Sequence, residues 1–298
     1  SRLDIRQTGA ETEAFRKDKI IYHVDCDKGE TNNRIKGCQV ILADLGNFLN
    51  EAMLHVSKTS LSLPDCSKWL EKIKSMKQES LDVDELKELE GINPNLFMHE
   101  LSQMSEQVVA YVIDVGQHQM WAAQSIELTP GQRFLTAGGM GAMGFSLPAA
   151  IGAAFSNIVS KPIVVIAGDG GFQLNIQELQ TIRRNNLPIK IVVLNNRAHG
   201  MVRQFQESYF EERYQSTIWG YSAPDFVRVA QAYNIAGSRI ELPSDVPKGL
   251  QLLWQNIEEP YLLEVMIDTN ANVYPKIAFG HPLTEMEPFV KPLAMEST

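Results

Sequence analysis

Short, nearly continuous apolar runs recur in the second half of the chain, and segments with helical spacing lie between them. Runs without alternating polar residues are typical of strands that are buried on both faces of a parallel sheet. Helices between such strands supply the crossover connections, so the pattern predicts an α/β fold with a doubly wound parallel sheet and flanking helices. The predicted strands are VVAYVID (108–114), PIVVIAG (162–168), IKIVVLN (189–195) and PYLLEVMID (260–268), and the predicted helices are SLPAAIGAAFSN (146–157), NIQELQTIRRN (175–185) and APDFVRVAQAYN (223–234).

The beginning of the chain carries a weaker form of the same pattern. KIIYHV (19–24) and the apolar run in GCQVILAD (37–44) predict two strands, and LGNFLNEAML (45–54) predicts a helix. We interpret residues 1–55 as the end of a partial Rossmann-like domain. Such a domain rarely begins with SRLDIRQTG, so we expect further sequence upstream.

A charged segment separates this region from the regular α/β pattern. PDCSKWLEKIKSMK (64–77) has apolar residues at helical spacing, and LDVDELKELEGINP (81–94) resembles a second helix that stops at Gly91. Residues 56–91 are therefore predicted to form a helical connector, and residues 92–298 a second domain with a C-terminal tail.

Composition excludes several kinds of partner. The net charge is −9 and the chain has no long cluster of Lys and Arg, so we expect neither nucleic acid nor an anionic membrane surface as a partner. No run of 18 apolar residues occurs, whereas a membrane-spanning helix needs about 20. Cys26, Cys38 and Cys66 lack metal-ligand spacing, and an odd, sparse set is typical of the reducing cytoplasm, where we expect the protein.

Acidic and amide side chains follow two of the predicted strands. Asp169, between two glycines, comes directly after PIVVIAG, and Asn195 and Asn196 end IKIVVLN. One helix connects these strands, so they form a βαβ unit and open on the same edge of the sheet. Carboxylate and amide oxygens are hard donors that suit Mg²⁺ or Ca²⁺.

The glycines around Asp169 add a second signal. Gly168, Gly170 and Gly171 let the backbone approach a phosphate closely. A helix predicted to begin near Asn175 presents free N–H groups and the positive end of its dipole. Each fragment alone favours a tight turn or a helix cap, but the pair in a strand–helix–strand context predicts a metal–diphosphate site.

Three motifs then carry a family resemblance. The Gly-Asp-Gly and Asn-Asn pair resembles the binding motif of thiamine-diphosphate (ThDP) enzymes, and GQHQMWAAQ (116–124) and FLTAGGMGAMGFSLPAAIGAAF (134–155) resemble acetolactate (acetohydroxyacid) synthases. The resemblance covers most of residues 92–275. It implies decarboxylation of a 2-oxo acid, pyruvate, with ThDP and Mg²⁺, followed by carboligation to a second carbonyl compound.

The resemblance also implies residue roles. The metal would be held by Asp169, Asn196 and the backbone carbonyl of Ala198. The carbonyl of Gly141 would accept from the cofactor's amino group, and Met143 would wedge under the cofactor and force its bent shape. The residues implied beside the diphosphate are Val115, Gly116, Gln117, His118, Gly170, Gly171, His199, Gly200 and Met201.

The catalytic acid of the family has no counterpart in this sequence. The resemblance implies a glutamate that activates the cofactor from a separate pyrimidine-binding domain, usually of a neighbouring subunit. We expect that domain to come from upstream sequence or a partner chain, and we expect this chain to be inactive by itself. Since family sites lie between subunits, a homodimer or homotetramer is expected.

Other positions depart from the family pattern. Phe205, expected near the substrate, stands where branched-chain synthases commonly carry a tryptophan, and Arg6 replaces a usual acidic residue. Asp4, Asp25 and Asp44 match flavin-proximal segments only loosely, so the resemblance leaves FAD open. The tail GHPLTEMEPFVKPLAMEST (280–298) resembles a segment that closes over the active site, and we interpret it as a mobile lid.

Two alternatives to the carboligase stay open at this point. One is a ThDP-dependent 2-oxo acid decarboxylase or other lyase of the same architecture, which protonates its intermediate instead of trapping it. The other is a non-catalytic ThDP-binding subunit. Product identity separates the two enzymes, and a scaffold would bind the cofactor without turnover.

Overall fold

A computed structural model of the chain describes residues 3–59, 61, 64–156 and 161–293. The chain divides into two compact units, residues 82–273 and residues 1–81 with 274–298. The larger unit therefore begins earlier than the predicted second domain and does not include the tail. The last residue of the predicted helix SLPAAIGAAFSN and the last five residues of the tail lie outside the described residues.

The smaller unit contains a two-stranded parallel sheet in which β1 pairs with β2. Both predicted strands are confirmed. The predicted helix begins at Leu45, where the Asp44 carboxylate caps its start, and it extends to Lys58. In the tail, strands Lys276–Ile277 and Met286–Glu287 pair antiparallel. The other elements are α1 (Ile5–Thr8), α2 (Thr12–Arg16), β1 (Tyr22–Asp25), β2 (Gln39–Leu42), α3 (Leu45–Lys58) and α4 (Ser67–Glu79).

The larger unit alternates strands and helices along the chain. Its strands are β3 (Ala110–Ile113), β4 (Arg133–Thr136), β5 (Ile163–Gly168), β6 (Ile189–Asn195), β7 (Ala236–Ile240) and β8 (Tyr261–Met266). Its α-helices are α5 (Pro94–Gln103), α6 (Gln117–Ser125), α7 (Ser146–Ser156), α8 (Asp169–Phe172), α9 (Leu179–Arg184), α10 (Gly200–Tyr209), α11 (Phe226–Ala232) and α12 (Val246–Trp254). Short 3₁₀ helices cover Asp84–Leu86, Gln173–Glu178 and Pro243–Asp245.

The six strands form one parallel sheet in the order β4-β3-β5-β6-β8-β7. Every residue of the central strands β5 and β6 is buried. Side chains of β5 alternate between two apolar clusters, with Val164 and Ile166 on the face covered by α5, α6 and α12, and Val165 and Ala167 on the face covered by α7, α9 and α11. The predicted doubly wound α/β fold is confirmed.

Two predicted helices differ in the structure. In LDVDELKELEGINP only Asp84–Leu86 is helical, as one 3₁₀ turn, and a full helix begins at Pro94, where the Asn93 side chain accepts from the first free N–H groups. NIQELQTIRRN is a 3₁₀ segment followed by α9. Asn175 interrupts it with non-helical dihedral angles, and its side chain donates to the carbonyl of Gly144.

Candidate functional site

The order of the strands places a crevice at the carboxyl ends of β3 and β5. From β3 the chain passes to β4 on one side, and it then returns to β5 on the other side. Ligands of open α/β sheets bind at such a switch point. Asp114 and Val115 follow β3 there, Asp169 follows β5, and Asn196 follows the neighbouring strand β6.

Three helices begin in this crevice. Helix α6 starts at Gln117, α8 at Asp169 and α10 at Gly200, and no side chain caps any of these N-termini. Helices α6 and α10 therefore direct free backbone N–H groups and the positive ends of their dipoles at the crevice. In the single turn of α8 the N–H of Gly170 already donates to Asp169. The expected helix start near Asn175 is wrong: the chain turns helical at Asp169, directly after the strand.

A buried carboxylate holds the walls of the crevice together. Asp114 accepts from the backbone N–H groups of Val115, Gly144 and Ser146 at 2.8–2.9 Å and from the Ser146 hydroxyl at 2.7 Å. It thereby ties the glycine-rich loop before α7 to the end of β3. Sequence reasoning missed this role, although an acid that ends a wholly apolar strand is a usable signal.

Asp169 carries the most perturbed charge in the crevice. Its side chain is 2 % exposed, Oδ1 accepts from the N–H of Gly170 at 3.0 Å, and Oδ2 is buried without a hydrogen-bond partner among the described residues. Burial raises the pKa of this carboxyl from 3.8 to about 7. Burial and the nearby Asp169 charge also raise the pKa of Tyr221 above its ordinary value. An unpartnered buried carboxylate oxygen is a site for a cation.

The two adjacent asparagines face different surroundings. Asn195 donates to the buried Glu264 at 2.7 Å and accepts from the N–H of Arg197 at 3.0 Å. Asn196 lines the crevice, where its Nδ2 donates to Gln117 at 3.0 Å and its Oδ1 accepts from the N–H of Ala198 at 3.2 Å. Of the two asparagines, Asn196 therefore lines the same cavity as Asp169, and Asn195 does not.

His118 is a neutral ring inside the crevice wall. Burial lowers the pKa of its imidazole to about 4, although the nearby Asp114 charge acts in the opposite direction. Its Nε2 is buried and has no hydrogen-bond partner among the described residues. The ring also bonds to the backbone carbonyl of Asp114, so the single proton of the neutral imidazole lies on the nitrogen that makes this bond and Nε2 is an acceptor.

The crevice encloses a cavity of about 300 Å³, within the range of small-molecule sites. All predicted metal and cofactor residues line it, whereas Phe205 does not and instead contacts Tyr209 and Phe210 at ring distances of 4.4 and 6.0 Å. Gly168, expected to approach a phosphate, also lines it, and sequence reasoning missed five further lining residues: Gln119, Met120, Trp121, Leu194 and Val202.

The side chains of the described residues limit which groups could hold a metal ion. Among the described residues, no three His, Cys, Asp or Glu side chains come together in a way that would hold a metal ion. A cation beside Asp169 would therefore need amide or carbonyl oxygens as its other protein ligands. Within the described part of the chain, no helix has the length and apolar character to cross a membrane.

Comparison with known proteins identifies relatives. Residues 114–265 match the thiamine pyrophosphate enzyme, C-terminal TPP binding domain. The chain is 37% identical over 290 residues to the acetolactate synthase isozyme 2 large subunit of Escherichia coli, covering 96% of this chain and 50% of the relative. It is 34% identical over 297 residues to the acetolactate synthase large subunit of Cyanidium caldarium, covering 98% and 49%. The chain thus spans about half the length of the relatives it matches.

Proposed function

The chain belongs to the thiamine pyrophosphate enzymes through their C-terminal TPP-binding domain, and from that premise we propose that it is the cofactor-binding part of a carboligase. The substrate would be pyruvate, which is decarboxylated and joined to a second carbonyl compound. Support comes from relatives named acetolactate synthase large subunit. The proposed site of reaction is the crevice at the carboxyl ends of β3, β5 and β6.

One observation carries the proposal. The uncapped N-termini of α6 and α10 and the unpartnered Oδ2 of Asp169 meet in a single cavity. Helix N-termini favour phosphate oxygens, and a buried carboxylate favours a cation that also binds those oxygens. Neither feature alone specifies a ligand, but a diphosphate with its Mg²⁺ satisfies both.

The proposed metal ligands are Asp169 Oδ2, Asn196 Oδ1 and the backbone carbonyl of Ala198. Asp169 supplies the charge, and Mg²⁺ takes its further ligands from phosphate and water. Asn196 is suited because its Nδ2 is already engaged, which leaves its oxygen on the other side of the amide.

The proposed diphosphate contacts are backbone N–H groups and one imidazole. His118 would donate from Nε2 once its ring is protonated beside the diphosphate. Gly200 and Met201 lie in the first turn of α10 and would offer N–H groups, and Gly170 lies beside Asp169, which accepts its N–H. The Gln117 side chain donates to Gln204 and Ala271 and accepts from Asn196. A contact of Gln117 with the diphosphate would therefore use its main chain.

The glycine-rich loop is proposed to hold the rest of the cofactor. Asp114 fixes the loop by its bonds to Gly144 and Ser146, so Gly141 and Met143 are presented to the cavity from a rigid base. Met143 would hold the two rings bent, and Gly141 would accept from the amino group. When bound, thiamine diphosphate supplies an electron sink for decarboxylation of a 2-oxo acid; the chain binds it, orients it and excludes water.

Partners complete the proposal. The activating glutamate is proposed to come from a pyrimidine-binding domain, either upstream in the same polypeptide or on another chain, within a homodimer or homotetramer in the cytoplasm. FAD is not part of the proposal. The side chains that loosely matched flavin segments each accept a nearby backbone N–H: Asp4 from Arg6, Asp25 from Asp27 and Asp44 from Asn47.

The test follows ¹³C-labelled pyruvate by NMR, with the full protein, its natural partner chains, thiamine diphosphate and Mg²⁺. The proposal predicts labelled acetolactate, and an Asp169→Ala preparation is the matched control without turnover. If free acetaldehyde is the main product, the protein is a decarboxylase rather than a carboligase. Bound cofactor without any product from pyruvate would contradict the proposed activity and favour a non-catalytic subunit.

A further inference from the structure

A row of buried amide side chains runs from the crevice into the larger unit. Asn196 donates through Nδ2 to Oε1 of Gln117 at 3.0 Å, and Gln117 donates through Nε2 to Oε1 of Gln204 at 3.0 Å. Gln204, on α10, is fully buried and ends at the backbone of Val273. We call Asn196, Gln117, Gln204 and Val273 the amide relay.

The direction of the relay is set at its far end. Val273 donates its N–H to Gln204 Oε1 at 2.9 Å and accepts from Gln204 Nε2 at 3.0 Å. A backbone N–H only donates and a carbonyl only accepts, so Gln204 cannot turn its amide over without losing both bonds. An amide carries its donor and acceptor on opposite sides, so Gln204 presents an oxygen to Gln117.

This orientation passes along the relay. Facing the Gln204 oxygen, Gln117 presents Nε2, which also donates to the carbonyl of Ala271 at 2.9 Å. Its own Oε1 is thereby directed at Asn196, which presents Nδ2 in return. The amide of Asn196 is left with Oδ1 on the side away from Gln117, where, among the described residues, it accepts from the N–H of Ala198.

Close packing around the bond between Asn196 and Gln117 holds this part of the relay in place. A Cβ at Gly200 would collide with Oε1 of Gln117 and Nδ2 of Asn196. Helix α10 can therefore begin beside this hydrogen bond only with glycine at its first position. Gln204 lies one turn further along the same helix. The position of α10 therefore places both its first residue beside the Asn196–Gln117 bond and Gln204 in the relay.

We propose that Gln204 is a positioning residue that, through Gln117, selects the rotamer of Asn196 in which the amide oxygen rather than the NH₂ group faces the metal. The inference rests on the proposed function, in which Asn196 is a metal ligand. Gln204 touches neither metal nor cofactor in this account. A turned Asn196 would offer a donor to the cation and lose one ligand, because an NH₂ group cannot coordinate Mg²⁺ as an oxygen does.

The test is the Mg²⁺ concentration that half-saturates thiamine diphosphate binding, measured by calorimetry on the full protein. Gln204→Met removes the relay and keeps a side chain of similar length. Loss of a group that orients a ligand typically weakens metal binding by about 10- to 100-fold, so the half-saturating concentration should rise at least about tenfold. The matched control is Gln206→Met on the same helix, which loses bonds to Gln215 and Thr217 and should leave the concentration within about twofold.

A second background separates orientation from general damage. A carboxylate has two equivalent oxygens, so after Asn196→Asp the rotamer no longer matters. In that background Gln204→Met should not raise the half-saturating concentration; it should leave it unchanged or lower it, because Gln117 is then free to turn its NH₂ group toward the carboxylate that its Oε1 otherwise faces. Equal weakening in both backgrounds, or no weakening with Asn196 present, would overturn the inference.

Failure of the relay is distinguishable from failure of the proposed function. If Asn196→Ala leaves the Mg²⁺ dependence unchanged, Asn196 is not a metal ligand, and both the proposed metal site and the relay inference are wrong. If Asn196→Ala weakens it and Gln204→Met does not, only the relay falls. Should Gln204→Met fail to fold, Gln204→Asn keeps a polar amide that is one methylene too short to reach Gln117 and Val273 together, and the same two results are expected of it.

Discussion

Asp169 should make the metal-free protein less stable than a variant that cannot bind the metal. Its carboxyl is buried, one oxygen has no partner, and burial raises its pKa from 3.8 to about 7. A raised pKa in the folded state means that the folded chain binds more protons than the unfolded chain between those values. The contribution of Asp169 to stability therefore falls as the pH rises from about 4 to about 7, the reverse of the usual behaviour of an aspartate.

The magnitude follows from the same values. A tenfold change in acid dissociation corresponds to about 1.4 kcal/mol, so ionised Asp169 costs the metal-free fold about 4 kcal/mol above pH 7 and about 2 kcal/mol near pH 5. Asp169→Asn keeps the shape and removes the charge. For a unit of this size 1 kcal/mol shifts the melting temperature by about 2–4 °C, so the variant should melt on the order of 10 °C higher at pH 8, and less than that at pH 5.

The assay is thermal unfolding followed by tryptophan fluorescence, since Trp121, Trp219 and Trp254 report on the larger unit. Thiamine diphosphate with Mg²⁺ should raise the melting temperature of the wild type and leave that of Asp169→Asn unchanged. Asp225→Asn is the control: the N–H of Arg228 lowers the pKa of Asp225, so its replacement should not stabilise at pH 8. A metal-free Asp169→Asn protein that melts at or below the wild type at pH 8 would refute the reasoning.

Three further predictions concern the walls of the crevice. Met143→Ala should lower turnover by up to about a hundredfold through misplacement of the cofactor while changing its affinity much less in calorimetry; the opposite pattern would remove Met143 from the bending role. Gly171→Ala should destabilise the fold by about 1–3 kcal/mol in chemical denaturation, because its Cβ would lie 2.6 Å from the fixed Oδ1 of Asp114. The control is Gly152→Ala in α7, which has open space around it and should stabilise the fold by up to about 1 kcal/mol. Burial lowers the pKa of His118 to about 4, so its ring proton resonances should stay constant between about pH 5 and pH 8, and titration near pH 6.5 would contradict its burial. Since protonation of the ring favours the unfolded state, the contribution of His118 alone to stability should fall by up to about 3 kcal/mol as the pH drops from about 6.5 to about 4, opposite in sign to that of Asp169.

The central strands could be predicted from the sequence because they are buried on both faces and their residues are almost all apolar; Lys190 in β6 is an exception, and its ammonium group donates to the backbone carbonyls of Asn256 and Glu259. PIVVIAG and IKIVVLN correspond to β5 and β6 within one residue. The strands β4 (RFLT) and β7 (AGSRI) were missed, since they lie at the edges of the sheet and are partly exposed. Edge strands carry mixed residues that do not distinguish them from loops.

The site could be predicted only where its residues follow neighbouring strands of one βαβ unit. Asp169 and Asn196 follow from the rule that parallel strands open on one edge. The bond between Gln117 and Gln204 joins residues 87 positions apart, and nothing in the local pattern of either residue indicates it. Asn175 shows the same limit, because a bond to Gly144, 31 residues away, accompanies the break in a segment with clear helical spacing.

The most direct test of the central claim is a crystal of the full protein grown with thiamine diphosphate and Mn²⁺ in place of Mg²⁺, with the anomalous signal of the metal recorded. The account predicts one anomalous peak in the crevice, within coordination distance of Asp169 Oδ2, Asn196 Oδ1 and the carbonyl oxygen of Ala198, and beside the diphosphate at the starts of α6, α8 and α10. Bound cofactor with the peak away from Asp169, or with the diphosphate outside this crevice, would contradict it.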